Sequence, residues 1–160
     1  MIRSFRQDDL DVIVDIANRA YRQIYVNLRK ALGNDLFEML FPDEKTFKGR
    51  QVEMFCRQNP QWVFVCEEKG QIVGFVTFVL EFRTKTGIFG DNAVDPKCGL
   101  KGIGQQMYQA AFNYFAQNGM KYARVRTTAD NIPARKAYER AGLDIQRQEV
   151  VYYKKLCSAG

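Results

Sequence analysis

Asn92-Ala-Val-Asp-Pro-Lys-Cys-Gly-Leu-Lys-Gly-Ile-Gly104 is the stretch of the sequence that decides the fold. A strand is expected to end at Asp95-Pro96, because proline has no backbone N–H to donate and disfavours helical conformation in the residue before it. An amphipathic helix is expected after the glycines, because apolar side chains recur every four residues at Ile103, Met107, Ala111 and Phe115. The stretch therefore predicts a strand, a glycine-rich loop and a helix in succession.

The start of this helix is a predicted phosphate site. The first backbone N–H groups of a helix have no partner within it, and the positive end of the helix dipole lies at the same place. Gly102 and Gly104 have no Cβ, so phosphate oxygens could approach the backbone closely. Lys97 and Lys101 add positive charge nearby.

Two common phosphate loops match these glycines poorly. A Walker loop has Lys and then Ser or Thr directly after its last glycine, whereas Gly104 is followed by Gln105 and Gln106. A dinucleotide-binding fingerprint has a third glycine or alanine where this chain has Met107, and it belongs to an early βαβ unit. The Walker loop is therefore excluded, and a dinucleotide site is only weakly supported.

A third phosphate loop fits better. Val94-Asp95-Pro96 followed by Leu100-Lys-Gly-Ile-Gly104 resembles the acyl-CoA loop of the GNAT family of N-acetyltransferases. The family pattern is Arg or Gln, two residues, Gly, one residue, then Gly or Ala. Gly102 and Gly104 occupy the two glycine positions, but Gly99 stands at the Arg/Gln position. This departure removes a side-chain contact and leaves the backbone cradle.

A second motif is Asn131-Ile-Pro-Ala-Arg-Lys-Ala-Tyr-Glu-Arg-Ala-Gly-Leu143. Asn131 is a good helix N-cap, and Gly142 is a typical helix end. The segment resembles the second cofactor motif of the same family, Asn-x-x-Ala-x-x-x-Tyr followed by Gly and an apolar residue, with Ala134 and Tyr138 in register. The two motifs together are far more specific than either alone.

The first sixty residues are predicted to be mainly helical. A strand is expected at 2–5, and a helix that opens at 7–9 carries apolar residues on one face as far as Ile24. Two short helical pieces and a further helix follow, and the last ends at Asn59-Pro60.

The remainder predicts a sheet. Strands are expected at 62–65, 72–82, 88–94 and 122–128, with two short strands in the tail, 145–156. Short turns join the first three into an antiparallel meander, while the helix that crosses between 88–94 and 122–128 makes that pair parallel. The fold class is α/β (α+β). The resemblance implies a mixed, mostly antiparallel central sheet, with helices on both faces and a parallel strand pair splayed at the acyl-CoA groove.

Length and composition predict one cytoplasmic domain, 1–160. A chain of 160 residues can bury its own core. Its four cysteines include no C-x-x-C pair, and it has no histidine, so a reduced protein without a metal site is expected. The N-terminus lacks a signal-like apolar run, and the longest apolar stretch, Ile72–Leu80, is far shorter than the roughly twenty residues of a membrane span.

The net charge of +6 raises the question of nucleic acid. Lys and Arg residues are spread along the chain and do not interleave with aromatic residues, so a nucleic-acid partner is unlikely on this pattern. A polyanionic small molecule such as coenzyme A would account for part of the positive excess.

The resemblance implies a set of contacts to acetyl-CoA or coenzyme A. The strand end, Asn92 to Val94, would pair with the pantetheine amides in the manner of an added strand. The full set is Asn92, Ala93, Val94, Leu100, Lys101, Gly102, Ile103, Gly104, Gln105, Asn131, Ala134, Arg135 and Tyr138.

Acetyl transfer to an amine requires three chemical roles. The attacking amine must lose a proton, directly or through water, and Glu81 and Asp91 are the candidate bases. The thiolate leaving group needs a proton donor, which the motif assigns to the Tyr138 hydroxyl as general acid. The oxyanion of a tetrahedral intermediate needs a donor, and the backbone N–H of Val94 is the candidate.

Two classes of function remain open on the sequence. The first is an N-acetyltransferase that acts on a small-molecule amine or a peptide N-terminus. The second is a module that binds acyl-CoA or a protein partner without catalysis. The segment after the first helix shapes the acceptor pocket in the family, so Tyr21, Tyr25, Phe37 and Phe41 are either pocket or core residues. The resemblance also allows a homodimer through sheet edges or C-terminal strands.

Overall fold

The computed structural model describes residues 1–157, in which one sheet is flanked by helices. The strands are β1 (Ile2–Ser4), β2 (Val63–Glu68), β3 (Gln71–Glu81), β4 (Thr86–Val94) and β5 (Tyr122–Arg124). The α-helices are α1 (Leu10–Ala20), α2 (Arg22–Leu32), α3 (Asn34–Leu40), α4 (Glu44–Gln58), α5 (Ile103–Gln117) and α6 (Ile132–Arg140).

The strands lie in the sheet in the order in which they occur in the chain. Strands β1 to β4 form an antiparallel meander. Strand β5 is parallel to β4, with Thr86 opposite Tyr122 and Ile88 opposite Arg124, because α5 carries the chain back across the sheet between them. The predicted mixed, mostly antiparallel sheet with one parallel pair is confirmed.

Apolar side chains cover both faces of this sheet. On one face, α1 and α4 bury Ile13, Ile16 and Val52 against β2 and β3. On the other face, α5 packs on β3 and β4 through the predicted stripe of Ile103, Met107, Ala111 and Phe115, all of them buried. The periodicity in the sequence therefore identified the buried face of α5 correctly.

Three boundaries differ from the sequence-based expectation. The predicted first helix divides at Tyr21, where ψ of −3° leaves the ideal helical value and α2 begins at the next residue. The strand expected at 122–128 ends at Arg124, since β4 diverges from it beyond Ile88. The two strands expected in 145–156 are absent, and the apolar residues there are exposed. A β-rich pattern makes a strand only when a neighbouring backbone completes its hydrogen bonds.

The close approach of α5 to β4 depends on Gly87. A Cβ at this position would overlap with the ring of Phe115, which is only 3% exposed and is enclosed by Phe78 and Phe89. The ring therefore has little room to move away from a side chain at position 87.

We expect Gly87→Ala to lower the free energy of unfolding by about 1–3 kcal/mol, the usual cost of overpacking a core. Urea denaturation followed by circular dichroism measures this change. Gly104→Ala is the matched control, because a Cβ at Gly104 would lie 3.8 Å from the nearest side-chain atom. Equal stability of the two variants would contradict the proposed contact.

Candidate active site

A cavity of about 640 Å³ opens where β4 and β5 diverge. Its walls come from the end of β4, the start of α5, α6, and the chain that follows β5. The predicted site residues that line it are Asp91, Asn92, Ala93, Val94, Leu100, Gly102, Ile103, Gly104, Gln105, Asn131, Ala134 and Tyr138. The structure therefore brings the two sequence motifs together in one space.

The end of β4 is held in place by Asp95. Its N–H donates to the Val73 carbonyl at 2.8 Å, and its carboxylate accepts from Arg19 of α1 at 2.9 Å and from the Lys97 N–H at 3.0 Å. Burial would raise the pKa of Asp95, but these hydrogen bonds outweigh it and hold that pKa below its ordinary value. The strand, α1 and the glycine loop are thus joined at one carboxylate.

The glycine loop forms the predicted cradle at the start of α5. Gly102 adopts a φ of +80° and precedes the first helical residue, a conformation that favours glycine. The N–H of Gln106 is bonded to the Gly102 carbonyl, so the N–H groups of Ile103, Gly104 and Gln105 precede the first hydrogen bond of the helix. These three donors and the helix dipole fit a phosphate group.

The second motif lines the same cavity as this cradle. The Asn131 side chain accepts from the Ala134 N–H at 3.4 Å and donates to Thr127 Oγ1 at 3.0 Å. Gln105 donates to the Ala137 carbonyl at 2.9 Å and links α5 to α6. Asn131 therefore acts as the predicted N-cap and also connects α6 to the chain after β5.

Two of the predicted cofactor contacts lie outside the cavity wall. Arg135 donates to the Ala129 carbonyl at 2.9 Å, so its guanidinium braces the loop before α6. Lys101 is an exposed residue of the glycine loop. From this position it can contribute charge at the mouth of the cradle, not a contact within it.

Tyr138 lies in the cavity wall beside Tyr108, with ring centroids 5.7 Å apart. The Tyr108 hydroxyl donates to Asn92 Oδ1 at 2.8 Å. Burial raises the pKa of Tyr138 above its ordinary value of 10.0, so its hydroxyl keeps its proton near neutral pH. Sequence reasoning did not single out Tyr108, since a buried aromatic residue on α5 looks like ordinary core.

The two candidate bases lie in different parts of the molecule. Glu81 is at the far end of β3, in the turn before β4, where its carboxylate accepts from the backbone N–H groups of Arg83 and Thr84. These bonds hold it outside the cavity. Asp91 lines the cavity, so the geometry supports Asp91 and not Glu81.

A bulge in β4 sets the position of Asp91. Val76 of β3 pairs with Asn92 and Phe78 pairs with Phe89, so β4 has one more residue than β3 in this interval. The Thr77 hydroxyl donates to the Asp91 carbonyl at 3.0 Å across the bulge. The Asp91 carboxylate meets Lys48 of α4 at 2.8 Å and the Tyr21 hydroxyl at 3.3 Å.

Lys48 and Tyr21 form the end of the cavity opposite α6. Lys48 Nζ lies 4.5 Å from the centre of the Tyr21 ring, and its side chain is only 14% exposed. Tyr21 was one of four aromatic residues predicted as pocket or core. It lines the cavity, whereas Tyr25 and Phe37 are buried and pack on one another. No sequence signal distinguished Lys48 from other surface lysines.

The chain after β5 also contributes cavity residues that sequence reasoning missed, namely Arg126, Thr127 and Thr128. They were predicted to be part of a strand, and only the divergence from β4 turns them towards the cavity.

Within residues 1–157, no group of three or more His, Cys, Asp or Glu side chains could hold a metal ion. None of the described helices is long and apolar enough to cross a membrane.

The sequence model of the acetyltransferase (GNAT) family matches residues 21–143. The chain belongs to this family. The match covers the first cofactor motif and the second, and it extends from Tyr21, directly after α1, to Leu143, shortly after α6. The predictions of an acetyltransferase and of acetyl-CoA or coenzyme A as its cofactor agree with this assignment.

Individual GNAT proteins resemble the chain along most of its length. YhfO of Bacillus subtilis, described as an uncharacterised N-acetyltransferase, is 27% identical over 147 residues, with 89% of each chain covered. An N-acetyltransferase of Archaeoglobus fulgidus, described in the same way, is 28% identical and covers 92% of this chain and 94% of its own.

Among solved GNAT structures, PaiA N-acetyltransferase from Thermoplasma acidophilum, in complex with coenzyme A, has a TM-score of 0.68 at 12% identity. The match covers 88% of this chain and 86% of PaiA. Similarity at this level of identity shows that the fold is shared, and it confirms the predicted architecture.

The cradle provides a direct test of cofactor binding in this GNAT protein. We expect Gly104→Glu to weaken coenzyme A binding by about tenfold or more, because the added carboxylate would lie beside the helix-start N–H groups and repel a phosphate there. Isothermal titration calorimetry with coenzyme A measures this loss. Gly104→Ala is the matched control, because the family pattern accepts alanine at this position and a Cβ there would lie 3.8 Å from the nearest side-chain atom. Unchanged affinity in Gly104→Glu would contradict the assignment of the cradle.

Proposed function

We propose that the protein transfers the acetyl group of acetyl-CoA to a primary amine of a small molecule or a peptide N-terminus. The observation that carries this proposal is the continuity of one cavity, which joins the helix-start cradle, Tyr138 and Asp91. The reaction would proceed by direct attack of the amine on the thioester, through a tetrahedral intermediate. No acyl-enzyme is required.

Acetyl-CoA would lie along the divergence of β4 and β5. Its pyrophosphate would accept from the N–H groups at the start of α5, and its pantetheine amides would pair with the backbone from Asn92 to Val94. Because β4 does not pair with β5 beyond Ile88, this edge of the strand is available to an extended ligand.

The Val94 N–H is the proposed oxyanion donor. Successive N–H groups of a strand point to opposite sides, and the Asp95 N–H points towards β3, where it donates to Val73. The Val94 N–H therefore points away from β3, towards the opening between β4 and β5. A carbonyl placed there would be polarised before the amine attacks.

Tyr138 is the proposed general acid for the thiolate. Its hydroxyl is protonated at neutral pH because burial raises its pKa. It shares the cavity with the end of β4, so it can meet a sulfur atom bound beside Val94. As the C–S bond breaks, the hydroxyl donates its proton to the departing thiolate.

Asp91 is the proposed acceptor-side carboxylate. It can receive the proton of the amine, directly or through a water molecule, while Lys48 and Tyr21 orient it. Because Lys48 already neutralises much of its charge, Asp91 is better suited to position an amine than to attract a polycation from solution.

The alternative proposal is a module that binds acyl-CoA, or another partner, without transferring the acetyl group. Gly99 favours it, because this residue lacks the side chain that the family pattern has at the Arg/Gln position. Release of free thiol from acetyl-CoA in the presence of a panel of amines separates the two proposals. Coenzyme A binding without thiol release by any amine would favour the module.

We expect Tyr138→Phe to lower kcat by about 100-fold or more, the usual contribution of a positioned acid, while coenzyme A affinity changes little. Steady-state thiol release and calorimetry measure the two effects. Tyr114→Phe is the matched control, because Tyr114 lies on α5 but packs on Phe64 and Phe78, away from the cavity. Equal kcat values in the two variants would exclude Tyr138 as the acid.

The pH dependence of kcat tests the protonation state of Tyr138. The rate should rise with pH as the amine loses its proton. It should not fall again below about pH 10, because burial moves the pKa of the Tyr138 hydroxyl above 10.0. Measurement of kcat from pH 6.5 to 10 is sufficient. A descending limb with a midpoint below about pH 9 would be inconsistent with Tyr138 as a buried general acid.

A further inference from the structure

The wall of the cavity contains one ion pair. Lys48 Nζ donates to Asp91 Oδ1 at 2.8 Å, and the two side chains are 14% and 27% exposed. Both residues line the cavity. Taking two charges out of water is costly, and apolar side chains of similar size often stabilise a fold as well as a buried pair does. The pair is therefore better explained by what it binds than by what it adds to stability.

The Asp91 carboxylate has one oxygen without a protein partner. Lys48 Nζ and the Tyr21 hydroxyl both donate to Oδ1, and no residue within 1–157 donates to Oδ2. An ionised carboxylate has about four acceptor positions on its two oxygens. Oδ2 can therefore accept from the amine of a ligand while Lys48 and Tyr21 hold the carboxylate in place.

Lys48 also keeps hydrogen-bonding capacity. An ammonium has three donors, and the bond to Asp91 is the one that Lys48 Nζ forms with the described residues. The Tyr21 ring, whose centre lies 4.5 Å from Nζ, covers a further side of the ammonium. A remaining donor can meet an anionic oxygen that enters the cavity.

The position of the Lys48 ammonium is set by close packing of α4 on α1. The Gly49 N–H donates to Asn18 Oδ1 at 2.7 Å, and a Cβ at Gly49 would lie 2.5 Å from the same side chain. Because the two helices meet so closely at the residue after Lys48, its side chain reaches Asp91 from a fixed place. The ion pair is thus preorganised for a ligand.

The other charged side chains of the cavity wall are cationic. Arg126 and Arg140 line the cavity, and Asp91 is the one carboxylate in its wall among residues 1–157. A ligand with several ammonium groups would therefore meet more positive than negative charge. The wall favours an acceptor whose amine is accompanied by an anionic group.

Apolar side chains lie beside the ion pair. Ala20 and Ile24, close to Tyr21 in the sequence, also line the cavity. They belong to α1 and α2, the helices that meet at Tyr21. An uncharged part of the acceptor can pack against them.

We propose that the acceptor is a free α-amino acid with an apolar side chain. Its ammonium donates to Asp91 Oδ2, and its carboxylate accepts from Lys48 Nζ. The two groups of the ligand are attached to one carbon, and the two groups of the protein are in direct contact, so each charge meets its opposite. A peptide N-terminus has no carboxylate at this place. The inference rests on the proposed function, because it names the class of acceptor for the same site.

The reaction with an α-amino acid releases one proton. The bound ammonium first loses a proton to solvent and becomes the free amine. Its nitrogen then forms a bond with the acetyl carbon as the C–S bond breaks, a second nitrogen proton passes to Asp91, and the thiolate takes the proton of Tyr138. Asp91 returns its proton to solvent, and Tyr138 recovers one. The products are the N-acetylamino acid and the thiol of coenzyme A.

Calorimetry tests the acceptor class without turnover. Alanine, leucine and phenylalanine are titrated into the protein, with and without saturating coenzyme A, and each is compared with its α-amide, which keeps the amine and the side chain but has no carboxylate. At least one amino acid should bind about tenfold or more tightly than its amide. If none of the three binds, or if every amide binds as tightly as its acid, the proposal is overturned.

Thiol release from acetyl-CoA separates this proposal from the proposed function. Tight binding of an amino acid without thiol release would support the acceptor-binding site and contradict acetyl transfer. Thiol release with amines that lack a carboxylate, at rates equal to those of the amino acids, would support acetyl transfer and contradict the acceptor class.

The variant Lys48→Met tests the role of the lysine. Affinity for the best-binding amino acid should fall by about tenfold or more, while its amide should bind equally well or better, because Asp91 is then no longer neutralised. Structural damage would weaken both ligands, and this outcome would overturn the proposal, as would unchanged affinity for the amino acid. Lys48→Arg should preserve the preference for the acid. Lys45→Met is the matched control, because Lys45 is an exposed residue of the same helix and lies outside the cavity wall.

Discussion

The position of every functional element depends on how β4 ends. Asp95 makes three hydrogen bonds at that point: its N–H donates to Val73 of β3, and its carboxylate accepts from a guanidinium of α1 and from the loop that leads to α5. Both side chains of the Asp95–Arg19 pair are less than a fifth exposed, where removal of one partner leaves the other charge buried and costly. Because the strand must stop here, the chain turns into the glycine loop, and the N–H groups of α5 come to face the opening between β4 and β5. A shift of this junction would displace the Val94 N–H and the phosphate cradle together.

The bulge in β4 sets the position of Asp91 in the part of the cavity lined by Lys48 and Tyr21. An extra residue opposite Thr77 turns Asp91 towards Lys48 and Tyr21, so one strand supplies both the backbone from Asn92 to Val94 and a carboxylate to the cavity wall. Gly90 is required at this point because a Cβ there would lie 2.6 Å from the Thr77 hydroxyl. The predicted first helix divides at Tyr21, and the hydroxyl of this residue donates to the Asp91 carboxylate. Local irregularities in two regular elements thus build the part of the cavity that contains Asp91, Lys48 and Tyr21.

Much of the cofactor half was predictable because its signals are local. The proline that ends β4, the glycines and the apolar stripe from Ile103 to Phe115 lie in one continuous stretch of sequence. Asn131 caps α6 by accepting from the Ala134 N–H, only three residues away. The part of the cavity around Asp91, Lys48 and Tyr21 was less predictable. Lys48 lies on a helix with no distinctive pattern, and its contact with Asp91 joins residues 43 positions apart in the sequence. Glu81 and Asp91 were equally plausible bases in the sequence, and only the hydrogen bonds of Glu81 to Arg83 and Thr84 show that it lies outside the cavity. The prediction of two strands in 145–156 was wrong for a different reason. These residues favour extended structure, but a strand forms only where a neighbouring backbone lies beside it.

By itself the sequence determined the order of the elements as far as α6, the buried face of α5, the two cofactor motifs and the family to which the chain belongs. These features depend on interactions between residues close together in the chain, and their physical signals survive without a three-dimensional context. The tertiary structure alone decided which carboxylate enters the cavity, that Lys48 neutralises it, where β5 ends, and that no strand forms between residues 145 and 157. Each of these depends on groups far apart in sequence, whose distances are set by the packing of the whole sheet against its helices.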